Sequence, residues 1–307
     1  MSTARGAPFG TSGRTFFSSG AGLMVASAFW FSVMSALVKL AGERLPSQEI
    51  VLARAVVSLV LSWGLLRRAG VSPWGREPRW LLLRGFFGFV GLTCVYFAVT
   101  RLPLAEATVI QYLHPVLTAL LAALFLSEMV AASLVLSLAL SLVGVLLVAR
   151  PAAIFGGAAA ELDPLGLAAA FGGALFSAIA YVLVRRLSSS EHTLVIIFYF
   201  PLVTVPLALP WVLTHGLWPR GWEWLVLLGV GIATQLAQVY LTRGIQLLPA
   251  GRATSLSYLQ VAFAGIWGLA LFGEVPDLWF AAGALLVLAG ALVSARAEAK
   301  ERRAAAG

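Results

Sequence analysis

The chain has 307 residues, 60% of them apolar and only 11% charged, against about 45–50% and 25% in soluble domains. That surface excludes a soluble globular protein. The net charge of +8 is spread over short loops between apolar runs instead of gathered on one polar domain, which excludes a nucleic-acid binder and is how orientation in a bilayer is written.

In chain order, residues 1–19 are small, polar and basic and read as a cytoplasmic tail, with no short apolar core leading into a cleavage site. Apolar spans follow at 20–41, 48–67, 80–100, 104–126, 131–149, 165–187, 193–214, 223–246, 252–272 and 277–296. Each is close to the ~20 residues that cross a ~30 Å hydrocarbon core as a helix. Residues 297–307 read as a second cytoplasmic tail. With the N-terminus inside, fifteen Arg and Lys fall in inner segments, Arg84 among them, and four (Arg44, Arg101, Arg150, Arg220) in outer ones. This bias predicts an integral protein of a bacterial-type cytoplasmic (inner) membrane with both termini cytoplasmic.

The chain also repeats itself. Leu102-Pro103-Leu104-Ala105-Glu106-Ala107-Thr108, Tyr112-Leu113 and Glu128 return as Leu248-Pro249-Ala250-Gly251-Arg252-Ala253-Thr254, Tyr258-Leu259 and Glu274, each 146 residues later. Gly20 to Lys39 matches Gly166 to Arg185 at the same spacing, and Trp80, Gly85 and Tyr96 match Trp224, Gly229 and Tyr240 at 144. A period of half the chain marks a duplicated unit. Five spans separate each position from its copy, and five is odd, so the copy enters the membrane upside down. The predicted fold is an all-α polytopic membrane protein of ten transmembrane helices, with five-helix repeats at 20–150 and 165–296 around an extracytoplasmic linker at 151–164. Inverted repeats of this kind build alternating-access carriers, with the solute site near the midplane where the halves meet.

Three features resemble the EamA family of the drug/metabolite transporter superfamily: the Pro-x-x-x-Ala-Thr…Tyr-Leu…Glu pattern above, the arginine early in the second span (Leu52-Ala53-Arg54), and the Gly144…Ala149-Arg150-Pro151 ending of the fifth. The resemblance covers about residues 20–296 and implies a 5+5 helical fold and solute transport. Arg84-Gly85, Ala107-Thr108 and Arg150-Pro151…Phe155-Gly156 are similar to a branch associated with organic anions, carboxylates and acyl-carnitine-type solutes.

Several side chains are candidates for the solute path. Arg54 lies six residues into a span, roughly 9 Å deep at 1.5 Å per residue, where a charge faces a cavity or a partner such as Glu49 or Glu106. Its planar fork suits a carboxylate. His114, near ~15 Å deep, is a candidate for carrying coupled protons or a neutral packing residue. Its copy is Gln260, and Pro115 has Val261 as its copy, so a kink and a histidine are expected in the first half only. Gln111, Gln235, Gln238 and Gln260 either bond between helices or line the path. Trp30, Tyr96, Phe176, Tyr181 and Tyr258 are candidate pocket walls, with Trp30 and Phe176 repeat-related. Lys39, Glu128, Arg185 and Glu274 lie at span ends as structural or gating elements. Trp74, Trp80, Trp218, Trp222 and Trp279 fit the interfacial belt, and Pro201, Pro206 and Pro210 predict a bent seventh span.

Other chemistry lacks its residues. There is no phosphate-binding glycine loop with lysine, no metal-ligand cluster and no Ser–His–acid set, so no cofactor and no catalytic residue is expected. An acidic residue in the first span, as in the small multidrug exporters of this superfamily, is missing. The expected function is secondary transport of a small organic metabolite, preferentially carboxylate-bearing or zwitterionic, with protons or a counter-transported solute and a homodimer as candidate partners. A lipid flippase or scramblase on the same fold and a membrane-embedded lipid-modifying enzyme are the alternatives.

Overall fold

The computed structural model describes residues 19–102, 104–149, 154, 163–273 and 277–306. Among them are ten helical stretches long and apolar enough to cross a membrane. They are α1 (Gly20–Ala41), α2 (Ser47–Arg68), α3 (Pro78–Arg101), α4 (Leu104–Gln111) with α5 (His114–Leu126), α6 (Ala132–Ala149), α7 (Pro164–Leu187), α8 (Thr193–His215), α9 (Glu223–Leu247), α10 (Ala250–Ser255) with α11 (Leu259–Phe272), and α12 (Leu278–Ala306). The last helix continues beyond its apolar span to Ala306.

Helix ends follow local chemistry. Ser19 caps α1 by accepting from the Gly22 N–H at 2.9 Å, and Asp163 caps α7 by accepting from Leu165 and Gly166. The fourth and ninth spans both break midway. His114-Pro115 opens a new helix after a turn at Tyr112-Leu113, where Pro115 has no N–H for the preceding turn. The ninth passes through a 3₁₀ turn at Leu256–Tyr258 with no proline present. The kink expected in one half therefore occurs at matching positions in both, and only the histidine is particular to the first. Both broken spans also end on a left-handed residue, Ser127 at φ 54° and its copy Gly273 at φ 65°. A left-handed conformation costs a non-glycine residue about 1–2 kcal/mol. Ser127→Gly is thus expected to stabilise the protein by about 1 kcal/mol, read as a raised thermal midpoint in detergent.

The packing is almost entirely between the halves. The most extensive pairs are α3 with α7, α1 with α9, and α6 with α12, followed by α2 with α8. Under the repeat α3–α7 and α1–α9 are one contact made twice, while α6–α12 and α2–α8 lie on the pseudo-twofold. Glycines set the closest approaches. A Cβ on Gly144 would lie 2.6 Å from the Gly283 carbonyl oxygen, and one on Gly283 would lie 2.5 Å from that of Gly144. The repeat-mate of this contact, Ser137 with Gly290, carries a hydrogen bond from Ser137 Oγ to the Gly290 carbonyl at 2.8 Å. Such small-residue seams let helices associate where lipid removes the hydrophobic drive.

Carboxylates stitch the halves at both faces. Where the chain ends meet, Glu298 of α12 accepts from the Gly20 and Ala21 N–H groups at 3.1 and 2.9 Å, capping α1. Glu128 accepts from Ala250 N–H at 2.8 Å and pairs with Arg185 at 2.7 Å. Arg185 also donates to the Ile245 and Gln246 carbonyls at the end of α9. At the opposite face Arg44 pairs with Glu223, and Glu49 accepts from Leu217 N–H at 2.7 Å. Apart from the Arg185 bonds to the end of α9, each link joins a residue of one half to a residue of the other. The expected belt tryptophans, Trp74, Trp80, Trp218, Trp222 and Trp279, are exposed.

Candidate functional site

Three helices wall a narrow cleft. Arg54, Ala55 and Ser58 come from α2, Ile197, Phe200 and Pro201 from α8, and Thr234, Gln235 and Gln238 from α9. Each set is spaced by three or four residues, so each is one helix face, and α2 packs against both α8 and α9. Pro201 supplies no N–H, which leaves the Ile197 carbonyl without its helical donor beside the cleft. Arg54 and Phe200 are repeat-mates, 146 residues apart, so the pseudo-twofold runs between them.

Two arginines meet at this point. The Arg54 guanidinium lies over the Phe200 ring at 5.7 Å from its centroid, and that of Arg84, from α3, lies over the same ring at 4.9 Å. Arg54 is 5% and Arg84 4% exposed. Among the described residues neither has a carboxylate partner. Arg54 reaches only the Met34 sulfur, at 3.6 Å, and Arg84 the Gln238 side-chain oxygen, at 3.3 Å. Glu49, considered above as a partner for Arg54, is taken by Leu217 N–H, and the Glu106 side chain lies outside the described residues. Arg54 Nε, Arg84 Nε and Nη1, Ser58 Oγ and Thr234 Oγ1 are all buried without a hydrogen-bond partner. Unpaired buried polar atoms cost about 1–3 kcal/mol each, more when charged, and these gather at and beside the cleft.

Of the side chains singled out from the sequence, Arg54, Gln235 and Gln238 line the cleft. Gln235 is also tied to Ser62 at 2.9 Å. Tyr96 and Tyr181 stand within electrostatic reach of Arg54. The remainder gather elsewhere. Tyr258 stacks on its own repeat-mate Tyr112, centroids 5.5 Å apart, and donates to the Tyr112 carbonyl at 2.7 Å. His114 meets the Tyr181 ring edge-on at 5.3 Å, and in the matching contact Gln260 donates to Ser35 at 3.2 Å. Gln111 keeps its side-chain oxygen buried and unpaired. Phe176 stacks on Phe87 at 5.8 Å, whereas Trp30 contacts Phe29 at 5.6 Å, so this repeat-related pair does not meet in the cleft. Lys39 is exposed at the end of α1 away from the termini, and Glu274 lies outside the described residues.

His114 thus makes ring contacts that an amide replaces in the other half, and among the described residues no carboxylate pairs with it. His114→Gln, which imports the second half's residue, is expected to keep at least about a third of native transport with the same pH profile, the scale of an interhelical bond near 0.6 kcal/mol. Uptake by reconstituted vesicles across pH 5–8 checks it, and a flattened profile would make His114 the proton carrier.

Arg84, counted above with the inner-segment cations, is a buried residue of the third span. Its signal is in the sequence: it lies six residues past Pro78, about as deep as Arg54, which lies seven past Ser47. Phe200 carried the signal of being the copy of Arg54. Ser58 and Thr234 carried none, because small hydroxyl residues are common throughout membrane helices.

Ten apolar spans in two inverted halves, meeting at a cleft that holds a buried arginine, define an integral membrane protein of the inverted-repeat class. The EamA-like transporter family matches residues 18–150 and 164–296, and the chain belongs to that family. It is 33% identical to the pseudopaline exporter of Pseudomonas aeruginosa over 279 residues, 91% of this chain and 96% of that protein. It is 31% identical to solute carrier family 35 member G1 of Mus musculus, over 86% of this chain and 74% of the relative. A probable transport protein of Saccharomyces cerevisiae is 30% identical over 72% of this chain and 69% of its own length. A solved crystal structure superposes with a TM-score of 0.79 at 22% identity, covering 91% of this chain and 98% of the other.

Proposed function

We propose that this protein is a secondary transporter that moves a small carboxylate-bearing organic solute across a bacterial-type cytoplasmic membrane by alternating access, with both termini cytoplasmic. One observation supports the carboxylate preference: the Arg54 and Arg84 guanidiniums both stand over Phe200, buried and without a carboxylate partner among the described residues. A guanidinium so placed accepts a carboxylate through two parallel N–H···O bonds. The solute enters beside α2, α8 and α9, and the halves then rock about the pseudo-twofold so that the cleft opens to the other side. Glu128 with Arg185 and the cap at Ala250 hold the cytoplasmic face together and serve as the inner gate. The likeness to an exporter supports flux out of the cell.

The test is charge movement and uptake in proteoliposomes presented with organic anions, zwitterions and cations, using the native protein and Arg54→Leu. Saturable responses to anions or zwitterions that vanish in Arg54→Leu are expected. Responses to cations alone, surviving in the variant, would sink the carboxylate reading. Silence throughout, together with flipping of fluorescent lipids, would favour a lipid mover on this fold.

A further inference from the structure

We infer that the solute carries two anionic groups on one short skeleton, one met by Arg54 and the other by Arg84. This rests on the carboxylate reading above and narrows it. Five of the ten buried side-chain polar atoms that lack a partner among the described residues belong to Arg54, Arg84, Ser58 and Thr234, and all five carry hydrogens to donate. A solute that pairs with these donors is therefore rich in acceptors and negative. One carboxylate can occupy one guanidinium fork and neutralise one charge, leaving the other arginine buried and uncompensated in a low-dielectric setting. Two anionic groups satisfy both.

Geometry favours two groups over one doubly charged group. Arg54 lies on α2, seven residues from the helix start at the face away from the termini, and Arg84 lies on α3, six residues from the start at the terminal face. The two side chains therefore converge on Phe200 from opposite ends of the bundle. Both guanidinium carbons stand over the one ring, at 5.7 and 4.9 Å, which limits their separation to the sum of those distances. A skeleton of a few carbons spans that gap, its apolar middle against the ring and its ends on the arginines. Ser58 and Thr234 donate to whichever carboxylate oxygens the guanidiniums leave free. The amides are unsuited to a second cation-binding role, because Gln238 already accepts from Arg84 and Gln235 is engaged with Ser62.

The experiment uses the full chain in proteoliposomes and matched pairs of solutes: straight-chain dicarboxylates of four to six carbons, each against its own half-amide, with a phosphate monoester of similar size alongside. Half-saturation is expected to be at least about tenfold better for a dicarboxylate than for its half-amide, the scale of losing one buried charge pair. In Arg84→Gln the ratio falls to near one while a monoanion response persists, and Arg84→Lys recovers part of the ratio, which separates charge from packing. Half-amides equal to their diacids, an intact ratio in Arg84→Gln, or a phosphate monoester that outperforms every diacid would each overturn the inference. Absence of response to every anion, mono or di, would instead remove the carboxylate reading beneath it.

Discussion

Arg54→Leu is expected to lower saturable anion transport at least about a hundredfold, as loss of one partner of a desolvated charge pair does, while leaving the purified protein at least as heat-stable as the native chain. The two halves of this expectation pull apart because the residue is placed at odds with folding. A cation in the hydrocarbon costs at least about 2.5–3.5 kcal/mol on insertion scales, and Arg54 recovers little from its neighbours, a methionine sulfur and the face of Phe200. Leucine keeps much of the apolar stem and removes the charge. A residue retained for packing would behave the opposite way, with stability falling and transport surviving. Uptake kinetics and a thermal melt on the same preparation decide between them. Arg54→Lys should retain partial transport, since a point charge replaces a fork.

Gly144→Leu is expected to destabilise the fold enough to cause aggregation in detergent. A Cβ there meets the Gly283 carbonyl at 2.6 Å and Val287 Cγ2 at 2.8 Å, and the reverse contact from Gly283 meets the Gly144 carbonyl at 2.5 Å. Backbone cannot swing aside as a side-chain tip can, so α6 and α12 must separate along their length. Overpacking of this sort costs about 1–3 kcal/mol and at times more, and leucine here falls in the upper range. Size-exclusion profiles in mild detergent should show aggregate in place of a single peak. Gly64→Leu is the control, because nothing lies within 4 Å of a Cβ at that glycine, and it should elute and melt like the native protein.

The architecture was legible because a 146-residue repeat and the parity of five spans dictate the inverted halves without any structural input. The cleft was legible only where a residue type is out of place in lipid. Arg54, Gln235 and Gln238 stand out for that reason. Arg84 was hidden by its nearness to a basic loop, where a buried cation and an orienting one look alike in sequence. Depth along a span also says nothing about rotation around it, which is why Trp30 and Phe176, level in their helices, end on different neighbours. The ninth-span break gave no warning, since a 3₁₀ turn at Leu256–Tyr258 needs no proline.

Because the principal packing surfaces of each half lie against the other, the chain has an unusual biosynthesis. Helix α1 is threaded into the bilayer early, yet its main neighbour α9 is made only after residue 223. At the usual pace of synthesis that is a wait on the order of ten seconds or more, during which the face α1 will give to α9 is sealed only by lipid. Quality control therefore sees an orphaned half in every molecule being made. A chain truncated after the first half should be cleared by membrane proteases, and supplying the second half as a separate polypeptide should rescue it.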